Sequence, residues 1–282
     1  MKTVRPLAVV ALAALTLAAA AGCDGGGPAP KPSQSVGPVG RAGLTTAVTT
    51  TLRTRPNHVE YAATFRKDGR ARKQTVDAHR GRGGAEQAVF VTEGTRAEAR
   101  RVGGTGWLRS AQPAFTKALP AGKPWLRLSA SQLTAAGLPT VDEMLNLLHV
   151  SDAADDIADH GTATTDGVTT RVSSFSIDLK RAVCTAPKSA RLDIASLMGS
   201  DPRESRTMNA RVWTDAFHLV RRLSIHAQAD GITADYDLNV MGDNTAVNVQ
   251  PPPKAQTAEI GDIPKLDRAL STPRPAAPKC RS

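Results

Sequence analysis

The chain has 282 residues, 40% of them hydrophobic and 22% charged, and its 36 Lys and Arg outnumber 26 Asp and Glu for a formal charge of +10. That balance fits a globular protein with one sizeable core. Aromatic residues make up only 4%, and none interleave the basic stretches as stacking platforms, which argues against nucleic acid as the partner of the positive charge.

The first segment is the most informative. Lys2 and Arg5 precede an apolar run from Leu7 to Ala21, which ends in Ala20-Ala21-Gly22-Cys23. A basic start, an apolar middle and small residues at the end follow the order of a secretory signal peptide. The run is about 15 residues, short of the roughly 20 needed to span a bilayer. A cysteine directly after the small residues resembles a bacterial lipoprotein signal, in which Cys23 becomes residue one and carries diacylglycerol and palmitate. The expected organisation is a signal at 1–22, a lipidated N-terminus and flexible linker at 23–42, one domain at 43–253 and a Pro-rich tail at 254–282. The place of work is then the outer side of the cell membrane, with the lipid as anchor.

Residues 45–55 are either a poor helix or an extended segment. Val59, Tyr61, Ala63 and Phe65 alternate as a half-buried strand. The Asp68-Gly69 turn leads to a second strand near 73–80, and further short strands are expected at 88–92, 96–102 and 125–128. Basic residues crowd the interval from Arg53 to Arg109, including Arg66, Lys67, Arg70, Arg96 and Arg101. They form a solvated face or one drawn to anionic headgroups. The glycines at 81–84 and 103–106 lack the Lys-Ser/Thr and the strand-to-helix setting of a phosphate loop.

Residues 142–150 (DEMLNLLHV) read as the best helix, with Asp142 and Glu143 at its positive end and an apolar surface wide enough to need cover on more than one side. Ala153–Ala158 would extend it, leaving Asp152, Asp155, Asp156 and Asp159 as a solvated acidic helix end. A β-rich run follows at 168–179, a helix at 188–198, and then a hairpin and meander from Ala210 to Val240, closed by a last strand from Val247 and Val249.

Chemistry is sparse. The six histidines show no ligand spacing, HExxH and GxSxG are absent, and no catalytic residue, metal site or cofactor is expected. Cys184 and Cys280 form either one disulfide or one buried and one exposed thiol.

Arg211-Val212-Trp213-Thr214-Asp215, Leu219-Val220-Arg221-Arg222-Leu223, Tyr236-Asp237-Leu238 and Val247-Asn248-Val249-Gln250-Pro251-Pro252 resemble actinobacterial lipoproteins of the LppX/LprAFG type. The resemblance implies an α+β fold similar to the LolA/LolB carriers: a strongly curved antiparallel half-barrel wrapped around a few helices. It also implies a cavity between sheet and helices for an acyl lipid or glycolipid. Met144, Leu145, Leu147, Leu148, Phe175, Ile177, Trp213, Tyr236 and Leu238 are the candidate walls. The protein is expected to be a monomer without enzymatic activity. The other reading is a closed core, with the lipoprotein acting as an interaction module for a protein or wall polymer.

Overall fold

The computed structural model describes residues 40–197, 207–229, 232–241 and 247–263, and Cys280. The signal, Cys23, the linker to residue 39, the Asp230-Gly231 turn and nearly all of the tail beyond 263 lie outside the described residues. Among the described residues no helix is long and apolar enough to cross a membrane.

The chain opens with α1 (Arg41–Thr54), which buries Leu44, Ala47, Val48 and Thr51. Those positions form one helical stripe, and tertiary cover overrides the weak propensity of its threonines. Five strands follow: β1 (His58–Lys67), β2 (Arg70–Arg80), β3 (Glu86–Thr92), β4 (Thr95–Val102) and β5 (Thr105–Ser110). After α2 (Pro113–Ala118) comes β6 (Trp125–Ser129), then α3 (Ala130–Ala135) and α4 (Val141–Leu145), which tightens into a 3-10 helix over Asn146–Ala153. The second half is β7 (Ala154–Thr165), β8 (Val168–Asp178), α5 (Leu179–Thr185), α6 (Lys188–Leu197), β9 (Thr207–Asp215), β10 (Val220–Ala229) and β11 (Ile232–Val240). A three-residue β12 (Thr257–Glu259) ends it.

All twelve strands belong to one sheet, in the order β12-β6-β5-β4-β3-β2-β1-β11-β10-β9-β8-β7. Two meanders therefore meet at the antiparallel β1–β11 ladder. The expected all-antiparallel half-barrel is corrected. The sheet is mixed, because β12 runs parallel to β6, and it is open, wrapping the helices only in part and neither closed nor strongly curled. Strong curvature needs bulges or glycine kinks in the middle of a sheet. Here the central β1–β2 and β1–β11 ladders run without a shift, and register shifts fall in the β9–β10 and β7–β8 pairs instead.

Three local expectations change as well. The helix expected through Ala158 ends at Ala153, and Asp155, Asp156 and Asp159 sit on edge strand β7. The charges of Asp155 and Asp159 are matched from three elements. Arg41 of α1 and Arg181 of α5 meet Asp155, and Arg171 of β8 holds Asp159. The hydrogen bond from Arg171, with one from the Gly161 amide, draws the Asp159 carboxyl down to about 2. The last strand does not start at Val247, which forms only an isolated bridge to Gly81. Pro251, Pro252 and Pro253 lack amide donors and cannot extend a ladder. The segment crosses the outer face instead, its Gln250 carbonyl accepting from Arg100 at 3.1 Å. A Cβ at Gly81 would overlap the Val247 carbonyl, so glycine is required for that crossing.

The core lies on the inner face. Val59, Tyr61, Val76, Phe90, Ile177, Val212, Ile225, Tyr236 and Leu238 pack over Met144, Leu145, Leu147, Leu148 and Val150. Burial pushes the Tyr61 phenol well above its ordinary range, with Tyr236 adding to the shift. The segment that carries the leucines is pinned by a buried ion group. Glu86 accepts from the Val141 amide at 3.3 Å and faces Arg80 and Arg101, each at 3.7 Å. Arg101 in turn donates to the carbonyls of Leu138 and Pro139. Burial raises the Glu86 carboxyl against the pull of the two guanidiniums, and lowers Arg101.

Removing one partner of such a group leaves a buried charge unmatched. Glu86→Ala is expected to lower unfolding free energy by ~3–5 kcal/mol, and Glu86→Leu with Arg101→Met to recover only part of it, because the Leu138 and Pro139 carbonyls and the Val141 amide then lose their partners. Urea denaturation followed by circular dichroism checks both.

Candidate functional site

Between β5 and β6 the chain leaves the sheet for a flap at 111–124. Its shape follows from its residues. Ser110 Oγ accepts from the Gln112 amide at 3.1 Å, Pro113 opens α2, and buried Phe115 anchors the helix to the core. The Lys123 amide then donates to the Pro120 carbonyl at 3.1 Å, with Gly122 at φ 76° in the turn. A left-handed φ of that size is natural for glycine.

Under the flap lies an open cavity of about 500 Å³ with a mainly apolar wall, formed by Ala97 of β4, Ala111, Leu119, Pro120 and Pro124. Arg96, Glu98, Arg109 and Lys123 are the charged residues of its lining. Glu98, itself buried, accepts from Arg109 at 2.5 Å and from Arg100 at 2.8 and 3.0 Å. Both guanidiniums also flank the Trp125 ring, at 4.7 and 4.9 Å from its centroid. Cation–π contact and the shared carboxylate together hold Arg109 at the cavity wall.

A second cavity, of about 570 Å³, involves β8, β9 and β10 together with Asp156. Ser174, Ser176, Asn209, Arg211, Ser224 and His226 make it polar.

Of the nine residues expected to wall a lipid cavity, the structure brings eight together. Met144, Leu145, Leu147, Leu148, Phe175, Ile177, Tyr236 and Leu238 share one core, each at most 3% exposed. At that exposure a water-sized sphere hardly touches them, so they pack against one another. Phe175 also borders the polar cavity. Trp213 faces the opposite way, because Val212 beside it points inward, and it stacks with Arg222 at 5.0 Å. Cys184, in α5, is disulfide-bonded to Cys280. Cys23 lies outside the described residues.

The flap was passed over in the sequence, although Pro113, Pro120, Gly122 and Pro124 mark a long irregular connection between strands. A second group was missed too. His58, Asp77 and His79 converge on the outer face of β1 and β2, with ligand atoms all within 4.8 Å of one another.

No family model matches the chain, and no curated protein matches it. Among solved structures it is similar to LprF from Mycobacterium bovis, at 13% identity over 75% of this chain and 96% of that one, with a TM-score of 0.46. It is also similar to lipoprotein LppX of Mycobacterium tuberculosis, at 16% identity over 75% and 100% of the two chains and a TM-score of 0.43. A MucA/MucB complex of Pseudomonas aeruginosa aligns at 14% identity over 77% of this chain and 59% of that one, with a TM-score of 0.30.

The Trp-x-Asp and Leu-Val-Arg-Arg residues turn out to brace a hairpin. Buried Asp215 accepts from the amides of Phe217 and Leu219, both at 2.9 Å, and from Arg221 Nε at 2.7 Å. Arg222 bonds Asp237 on β11 at 2.7 Å. Asp215→Ala strands the Arg221 charge and two turn amides, and is expected to cost ~3–5 kcal/mol in urea denaturation while leaving any ligand bound under the flap in place.

Proposed function

We propose that this chain is a lipoprotein of the outer side of the cell membrane that binds a hydrophobic ligand with an anionic end in the cavity beneath residues 111–124. The observation that carries the reading is the cavity itself. Its volume, about 500 Å³, falls within the roughly 300–1,000 Å³ of ligand pockets, which are mostly apolar with a few placed polar groups. Here apolar flap residues supply the wall, and Arg96, Arg109 and Lys123 supply positive charge for an acyl carboxylate or a phosphate headgroup. Glu98 already engages Arg109, so the anionic end is met by the guanidinium edge that Glu98 leaves free.

The signal at 1–22 and the lipid on Cys23 are part of the same proposal. One acyl chain alone holds a protein marginally, whereas two anchor it stably, as diacylglycerol would. The linker that follows is rich in Gly and Pro and has no apolar pattern to bury, so it serves as a spacer between membrane and domain.

A second reading is favoured by the packing beneath the sheet. Leu145, Leu147 and Leu148 are close to fully buried, so the helices and sheet leave little room for cargo between them. In that reading the protein is an interaction module and its outer surface meets a protein or wall polymer.

Two measurements test the proposal. Cys23→Ala is expected to move the protein from the membrane to the soluble fraction, and retention in the membrane would refute the lipid anchor. For the ligand, protein purified from membranes is extracted with solvent and its lipids measured by mass spectrometry. Ala111→Trp fills the cavity and is expected to cut the bound lipid at least about tenfold without changing the circular dichroism spectrum, since fully burying one apolar group is worth ~1.5–3 kcal/mol. Equal lipid in both proteins would leave the interaction module as the better reading.

A further inference from the structure

The hairpin of β1 and β2 carries a second site with different chemistry. Its turn, Asp68-Gly69, has positive φ at both residues, 51° and 72°. That two-residue turn sets a register in which His58 stands opposite His79, and Glu60 opposite Asp77. Val59 and Ala78 point into the core, so their neighbours His58, Asp77 and His79 share the outer face. There the two imidazoles stack, with centroids 3.9 Å apart and planes 24° from parallel. One carboxylate oxygen serves both of them: Asp77 Oδ1 lies 2.9 Å from His58 Nε2 and 3.1 Å from His79 Nε2.

Three ligand atoms of two imidazoles and one carboxylate, all within 4.8 Å of one another, match what a divalent transition metal uses. Bonds of roughly 2.0–2.1 Å in a tetrahedral site put neighbouring ligand atoms ~3.3 Å apart. The observed 2.9 and 3.1 Å therefore need only a small opening of the cluster. Both imidazoles are already turned toward a common point by their stacking and by backbone pairing on two adjacent strands. The side chains are 14% and 29% exposed for the histidines and 52% for Asp77, so an ion can enter from solvent and one face of it would stay open.

We propose that His58, Asp77 and His79 form a binding site for a divalent transition-metal ion, with Zn²⁺ as the reference ion. The ion takes the place of the two N–H donors that Asp77 Oδ1 now accepts. Each imidazole turns its Nε2 lone pair to the metal and carries its proton on Nδ1, and Asp77 supplies the third bond. A fourth position is left for water or for a group from a partner. Glu60, across from Asp77 and bonded to Asn239 at 3.4 Å, adds negative charge next to the site. Two imidazoles and a carboxylate favour zinc, nickel or copper over calcium and magnesium, which prefer all-oxygen shells.

The test uses the full chain in detergent, purified without a polyhistidine tag and stripped with a chelator. Dialysis against Zn²⁺ followed by elemental analysis is expected to return one tightly held ion per chain, and Co²⁺ in its place is expected to show the visible absorption of a low-coordinate site. His58→Asn with His79→Asn should abolish that binding, and Asp77→Asn should weaken it at least tenfold. His226→Asn, which alters a histidine–aspartate pair elsewhere on the outer face, should leave it unchanged. If the double variant fails to fold, X-ray absorption of the zinc-loaded wild-type chain decides the matter, two imidazoles in the shell supporting the site and none overturning it. No stoichiometric ion in the wild type, or full binding by a folded double variant, would overturn the proposal.

Discussion

The constraint on which the rest of the structure depends is the passage of residues 130–153 across the inner face of the sheet. The two meanders share the β1–β11 ladder, and the chain must travel from β6, next to one edge, to β7 at the other. Any such crossing buries backbone that no strand can satisfy. Its sequence solves this with paired local bonds. Ser129 and Gln132 form one capping box and Thr140 and Glu143 another, so each short helix begins with two of its amides occupied. Between them, Arg101 takes the carbonyls of Leu138 and Pro139, and Glu86 takes the amide of Val141. The ion group serves to fix where the crossing starts more than to add net stability. With that point fixed, Met144 through Val150 fall under the middle of the sheet.

That arrangement decides where open volume is left. The space under the central strands is filled by the chain's own leucines, in tight helical turns whose side chains project on several sides. Room remains at the periphery, where β4 and β5 end and a flap rich in proline and glycine closes back. Prolines suit such a place because they need no amide partner and hold their φ without further support. The buried Trp125, flanked by Arg100 and Arg109, helps keep positive charge beside this apolar wall.

Much of the fold was legible because alternation and turn chemistry are local. Val59 to Phe65, the Asp68-Gly69 turn, and the described strands of the 210–240 hairpin and meander sit where their residue patterns put them. The failures are tertiary. Nothing near Asp155 says strand; Arg41, Arg171 and Arg181 arrive from distant parts of the chain to make a strand tolerable there. The parallel β12 is three residues long, too short to carry a period. The leucines at 145–148 read the same as core or as cavity wall, and only their packing decides. The histidine pair is different, because it was within reach. Counting ten residues outward from each side of the Asp68-Gly69 turn brings His58 opposite His79, but searches for metal ligands by spacing along the chain pass over pairings across a hairpin.

Segments distant in the sequence meet at one corner of the domain. Arg41, at the start of α1, reaches the Ala154 carbonyl and Asp155, while Arg181 of α5 reaches Ala153 and the same aspartate. The C-terminal Cys280 is bonded to Cys184 three residues further along the chain from Arg181. That corner stands beside β7, whereas β5 and the flap cavity lie nine strand steps away, ~43 Å along the sheet at ~4.8 Å per step. The arginine contacts and the disulfide that brace this corner are therefore remote from the flap cavity.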